Sequence, residues 1–283
     1  MMDAWYGLVS LLPFEWAAAG TMLFMKHALL AILVVSPLFG LLSTVVVGNR
    51  MAFFSDALGH SAFTGMAIGA LAGLSSSSAW AVAFALVFSL LFSLVRHKSS
   101  MQSDTIIGVF SSAAMALGIF LSTLGGQSFA KFNALLIGDI LSVSPGKIGF
   151  LFLILLLTIA LWVYAFNGLM LSSAHPALAS SRGVPTFWYN ALFTAAIAVV
   201  VSLAMTWVGL LVINSLLVLP GALARNLSRN MRQYHLLSVA SAVVCGIAGL
   251  ITSYYIGSSA GATITLYLAA CFFFSLLFRR QTR

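Results

Sequence analysis

Between short polar breaks, the chain is a succession of apolar runs. Each is about as long as the roughly 20 residues a helix needs to cross a bilayer. In lipid, every backbone N–H and C=O must be satisfied within its own segment, so such a chain folds as a bundle of membrane-spanning helices. The composition points the same way. Of 283 residues, 61% are hydrophobic and 6% are charged, against about 25% charged in an ordinary soluble domain. No stretch is left for a sizeable soluble domain. The net charge of +8 therefore reports which loops face which side of the membrane, and not an affinity for nucleic acid. Cys245 and Cys271 both fall in apolar runs and have neither a disulfide-framework nor a zinc-ligand spacing. No Lys or Arg precedes Lys26, so the first residues do not read as a cleavable signal peptide.

The expected fold is all-α and polytopic, with about nine transmembrane helices near 22–47, 53–74, 79–95, 105–124, 149–171, 187–207, 209–224, 235–256 and 262–278. Residues 1–21 carry Trp5, Tyr6, Phe14 and Trp16 around Pro13 and read as an interfacial segment. Pro37 and Gly40 predict a kink in the first span. Ser103-Asp104 suits a helix N-cap. Residues 134–141 are apolar enough for a short surface or re-entrant helix. Gly209 is the expected tight turn, and Pro220-Gly221 should break or kink the seventh span. With the N-terminus outside, the inner segments hold ten of the 13 Lys and Arg, among them Arg50, Arg96, Lys98, Arg182, Arg225, Arg229 and Arg232. Only Lys26, Lys131 and Lys147 fall outside. The bias predicts an outer N-terminus and a cytoplasmic C-terminus.

One span breaks the apolar rule. Asp56 and His60, in Ser55-Asp56-Ala57-Leu58-Gly59-His60, are four residues apart and so share a helix face. A carboxylate and an imidazole so placed can reach one divalent cation. A charge inside an apolar span costs about 2.5 to 3.5 kcal/mol on insertion scales, which makes it a functional candidate by default. Spacing alone leaves plainer roles open: Asp56 as a helix cap and His60 as a satisfied core histidine. The adjoining row, Ala57, Ser61, Gly65, Gly69 and Gly73, is all small and invites close approach of another helix. Asn214, inside the seventh span, must hydrogen-bond something, with helix packing favoured over pathway lining. Asp139 reads as a loop or cap residue. His27 and His97 sit at span ends, and His175 and His235 in inner loops.

The order of motifs resembles the permease subunit of bacterial zinc/manganese/iron ABC transporters, the ABC-3 family. The matching pieces include Asn49-Arg50-Met51 before Ser55–His60, then Asp104-Thr105-Ile106-Ile107-Gly108, Ile137-Gly138-Asp139-Ile140-Leu141 and Gly183-Val184-Pro185. Val208-Gly209-Leu210-Leu211, Ser215–Arg225 and Ser259-Ala260-Gly261-Ala262-Thr263 follow. The resemblance covers residues 22–283, which it implies form one permease domain. It implies a bacterial cytoplasmic-membrane protein that works with ATPase subunits, an extracytoplasmic metal-binding protein and a second copy of the permease. It places Asp56 and His60 on the path of a transported Zn²⁺, Mn²⁺ or Fe²⁺, with no permanently bound cofactor. The segment before Gly183 resembles the ATPase contact. Here it reads His175-Pro176 and lacks the family's acid, Phe63-Thr64 stands where Leu-Pro is common, and Asn214 where a small residue is usual.

The function expected is metal import by alternating access. The chain itself is not expected to be an enzyme. It has no G-x-x-x-x-G-K-[ST] for ATP hydrolysis and no H-E-x-x-H for an intramembrane metalloenzyme. The alternatives are a permease for a metal chelate or vitamin, an ion-coupled secondary transporter, and a structural subunit without a pathway.

Overall fold

The computed structural model describes residues 2–11, 13–18, 22–73, 77–124, 139–174 and 176–278. Lys131, the 134–138 part of the expected short helix, His175 and Arg279, Arg280 and Arg283 lie outside the described residues. Within them the chain is all-α: α1 (Met2–Val9), α2 (Leu23–Gly48), α3 (Phe54–Leu71), α4 (Ser77–Lys98), α5 (Ser103–Leu124), α6 (Pro145–Ala174), α7 (Pro176–Ser181), α8 (Thr186–Val208), α9 (Leu210–Leu227), α10 (Met231–Ile256) and α11 (Ala260–Leu277). Short 3₁₀ turns at Glu15–Ala17 and Ile140–Ser142 complete the described elements.

Among the described residues, eight helices are long and apolar enough to cross a membrane. The ninth expected span, α3, falls short of that apolarity. The reason is its position. Thirteen of its 18 residues are buried against α4, α5, α8 and α9, so lipid never tests its polar side chains. Thr64 Oγ1 donates to the Ala114 carbonyl of α5 at 2.6 Å, and Ser93 of α4 meets Thr194 of α8 at 2.7 Å. Such hydroxyl links hold helices together where no hydrophobic force can.

The long spans alternate in direction. Phe54 meets Phe92 at one end of the α3–α4 pair, and Gly65 abuts Trp80 further along. The same antiparallel register joins α2 to α10, through Tyr234 to the Thr44 carbonyl and Ser238 to the Gly40 carbonyl. Arg50, Arg96, Lys98, Arg182, Arg225, Arg229 and Arg232 consequently gather at one end of the bundle, and Lys26 and Lys147 at the other.

Three local expectations change, and one is met from within the chain. The small-residue row is met by α4 at Gly65 and Gly69, whereas Gly73 has nothing within 4 Å of its Cβ position. A Cβ on Gly65 would meet the Trp80 carbonyl, Ala81 Cα at 2.8 Å and Phe84 Cβ at 2.9 Å, so α4 occupies the groove offered to another helix. Ser103 is already the first residue of α5 and not its cap, as the Thr105 N–H bonds the Gln102 carbonyl. His235 lies in the first turns of α10, against Trp162, Phe166 and Tyr234, rather than in a loop. And α9 is not broken at Pro220 but runs on to Leu227. Ser43 of α2 bonds the helix on both sides of the proline: its Oγ accepts from the Gly221 N–H at 2.8 Å and donates to the Val218 carbonyl at 3.4 Å. Gly209 makes the expected α8–α9 turn at φ 96°, a conformation that favours glycine.

Candidate functional site

The site begins with a chain reversal. After α2 ends, Arg50 takes a positive φ of 55°, and the Met51 N–H bonds back to the Val46 carbonyl at 3.0 Å. Met51 is fully buried, with its sulfur 3.0 Å from Arg96 Nη1. Arg96 Nη2 also donates to the Asn49 carbonyl at 3.3 Å. The segment leading to α3 thus folds back into the bundle.

One turn into α3, Asp56 is held by side chains rather than by helix N–H groups. Its Oδ2 lies 3.4 Å from His60 Nε2, and its Oδ1 accepts from Asn214 Nδ2 of α9 at 3.4 Å. Both distances exceed the usual 2.7 to 3.2 Å range, so the carboxylate is oriented but not locked. Asn214, favoured as a packing residue from the sequence, is part of the polar cluster. The sequence signal was present: an amide within an apolar span must be answered by another polar group, but nothing in a linear pattern says which.

The contact also fixes the depth. α3 and α9 run in opposite directions and meet near both of their first turns, with Gly59 against Leu210. From Asp56, α3 continues 15 residues to Leu71, about 23 Å. From Asn214, α9 continues 13 residues the other way to Leu227, about 20 Å. Asp56 is therefore near mid-height, although it is only three residues into its helix.

Two cavities converge there. The larger, about 720 Å³, is lined by Asp56, His60 and Asn214 together with Asp139, Leu210 and Ser259, from connections at the lysine end of the bundle. The smaller, about 230 Å³, runs beside the first turns of α5 and is lined by Asp56, Asp104, Ser111 and Ser112. Asp56 lines both. Asp139 is a cap, as expected, through its Oδ1 to the Leu141 N–H at 3.0 Å, and it also faces the larger cavity. His27 and His97 lie apart, the first with its Nε2 2.6 Å from the Tyr6 hydroxyl and the second against the Phe187 ring. Among the described residues no cluster of three or more His, Cys, Asp or Glu is preassembled. The arrangement offers a cation one carboxylate and one imidazole, with the Asn214 amide beside them.

The chain is similar to known membrane proteins along most of its length. It is 26% identical to the manganese transport system membrane protein MntC of Listeria innocua, over 90% of each chain. It is 26% identical to the high-affinity zinc uptake system membrane protein ZnuB of Haemophilus influenzae, over 90% of this chain and 97% of the relative. The solved structure of PsaBC from Streptococcus pneumoniae, in complex with Fab, superposes with a TM-score of 0.75 at 25% identity, covering 98% of this chain and 95% of that one. The profile of the ABC 3 transport family matches residues 21–279, and the chain belongs to that family.

Proposed function

We propose that the protein is the membrane permease of an ATP-driven importer of a divalent transition metal, with Asp56 and His60 lining the metal path. The observation that carries this reading is Asp56 at mid-height on the wall shared by two cavities, with His60 beside it in the larger one. The manganese and zinc named in the relatives support those two ions ahead of iron.

In this reading residues 22–283 form the permease domain, and 1–21 lie at the membrane surface. The arginine end of the bundle faces the cytoplasm of a bacterial cell, by the positive-inside rule. Partner ATPase subunits dock there, and this chain hydrolyses no ATP. The larger cavity then opens outward, where a binding protein delivers the ion. The ion exchanges its water for the Asp56 carboxylate and the His60 imidazole. One copy leaves coordination incomplete, since zinc takes four ligands and manganese about six. A second copy of the permease supplies further donors, and incomplete, long-range contacts suit a site that must release what it binds. Alternating access closes the outer cavity and opens the smaller one toward Asp104.

Uptake of radioactive manganese and zinc tests the proposal. Cells lacking their own importers express the chain with its ATPase and binding protein. Asp56→Ala and His60→Ala each lower uptake to the level of cells without the permease, with membrane abundance unchanged. Uptake that survives both substitutions removes the metal path from α3.

A further inference from the structure

Asn214 carries a buried atom that the cluster leaves unused. Its Nδ2 donates to Asp56, while its Oδ1 is buried and has no hydrogen-bond partner. A buried amide oxygen left unpaired is costly, of the order of 1 to 3 kcal/mol. The side chain lines the larger cavity beside His60 and Asp56, on a turn of α9 that the sunk Gly209 reversal brings to mid-height. With Asp56 ionised and empty, the amide must present N–H to it. Once a cation neutralises that carboxylate, the demand disappears, and rotation about the terminal torsion exchanges N–H for the carbonyl oxygen. That torsion is broad and roughly two-fold, so both orientations are accessible.

We infer that Asn214 is a specificity-determining residue of the path, whose amide oxygen joins Asp56 and His60 as a third donor and favours manganese over zinc. The inference rests on the metal-path reading above. The chemistry is one of hardness and count. Amide carbonyl oxygen suits manganese, which collects about six ligands, many of them oxygen. Zinc is content with four and binds imidazole readily. An added carbonyl therefore helps manganese more.

The test is equilibrium binding of Mn²⁺ and of Zn²⁺, measured separately by dialysis, on the permease purified with its ATPase. Asn214→Ala and the near-isosteric Asn214→Leu both remove the oxygen. The leucine side chain also fills the space that alanine leaves, so one variant remains informative if the other fails to assemble. The expected result is a loss of manganese affinity of about tenfold, a single weak ligand's worth, with zinc affinity changed less than about twofold. Equal losses for both ions, or no change in either, overturn the inference while leaving the metal path standing. Asp56→Ala, run alongside, separates the two readings: if it leaves both affinities intact, the path itself is elsewhere and the inference falls with it.

Discussion

At the scale of single residues, the small side chains of α3 set how tightly its neighbours close around the polar pair. Gly65 has no room for a methyl group, because backbone and side-chain atoms of α4 occupy the place its Cβ would take. Gly65→Ala forces α4 to move and is expected to destabilise the protein by about 1 to 3 kcal/mol, as overpacking typically does. Gly149, on α6, has nothing within 4 Å of its Cβ position. Gly149→Ala removes backbone freedom without a clash and is expected to be neutral or stabilising by about 0.5 to 1 kcal/mol. Thermal melting of the purified protein compares the two, and equal melting temperatures would sink the packing argument. The sequence showed that the row was small. It did not show whose helix filled it, because an intramolecular neighbour and a second copy demand the same absence of side chain.

At the scale of helices, the bundle is stitched by hydroxyl groups at points where a helix cannot satisfy itself. Pro220 carries no N–H and would ordinarily break α9. Ser43 on α2 braces the helix beside the proline, its hydroxyl accepting from the Gly221 N–H and donating to the Val218 carbonyl, and Gly221 lets α2 approach. Ser43→Ala removes the side-chain acceptor of the buried Gly221 N–H. The expected cost is about 1 to 3 kcal/mol, read as a lower melting temperature and a lower membrane yield. A melting temperature unchanged from the natural protein would mean that α9 tolerates the gap unaided. The spans themselves were legible from composition and periodicity. Most helix boundaries agree to within a few residues, since apolar length and Gly or Pro punctuation are local properties. What a proline does inside a bundle is not local. It depends on a partner 177 residues away in sequence, counting from Ser43 to Pro220, and no period announces that pairing. The partner of Asp56 posed the same problem. Asp56 and His60 announce each other by their spacing, whereas Asn214 meets Asp56 only because two antiparallel helices overlap near their first turns.

At the scale of the whole molecule, that overlap decides what the protein can do. Two helices that ran the full height side by side would leave Asp56 at one surface. Here α3 and α9 share only their early turns, so each extends toward an opposite face, and Asp56 sits between an upper and a lower cavity. This makes a directional claim that labelling can check. In a background with Cys245 and Cys271 replaced by serine, single cysteines are placed at Ser259, in the larger cavity, and at Ser112, in the smaller one. A charged thiol reagent that cannot cross membranes, added outside intact cells, is expected to modify the Ser259→Cys protein at least about tenfold faster than the Ser112→Cys protein. The same reagent added to inside-out vesicles reverses the order, because the smaller cavity leads toward Asp104 and the arginine end. On the proposed metal path, manganese or zinc at saturating concentration is expected to slow labelling in the larger cavity, because an ion on Asp56 and His60 would occupy its floor. Faster labelling of the Ser112→Cys protein from outside would invert the orientation that the arginines imply. Equal labelling of both from one side would mean that Asp56 does not divide the cavities, and a carboxylate standing in one continuous channel cannot alternate an ion between two faces.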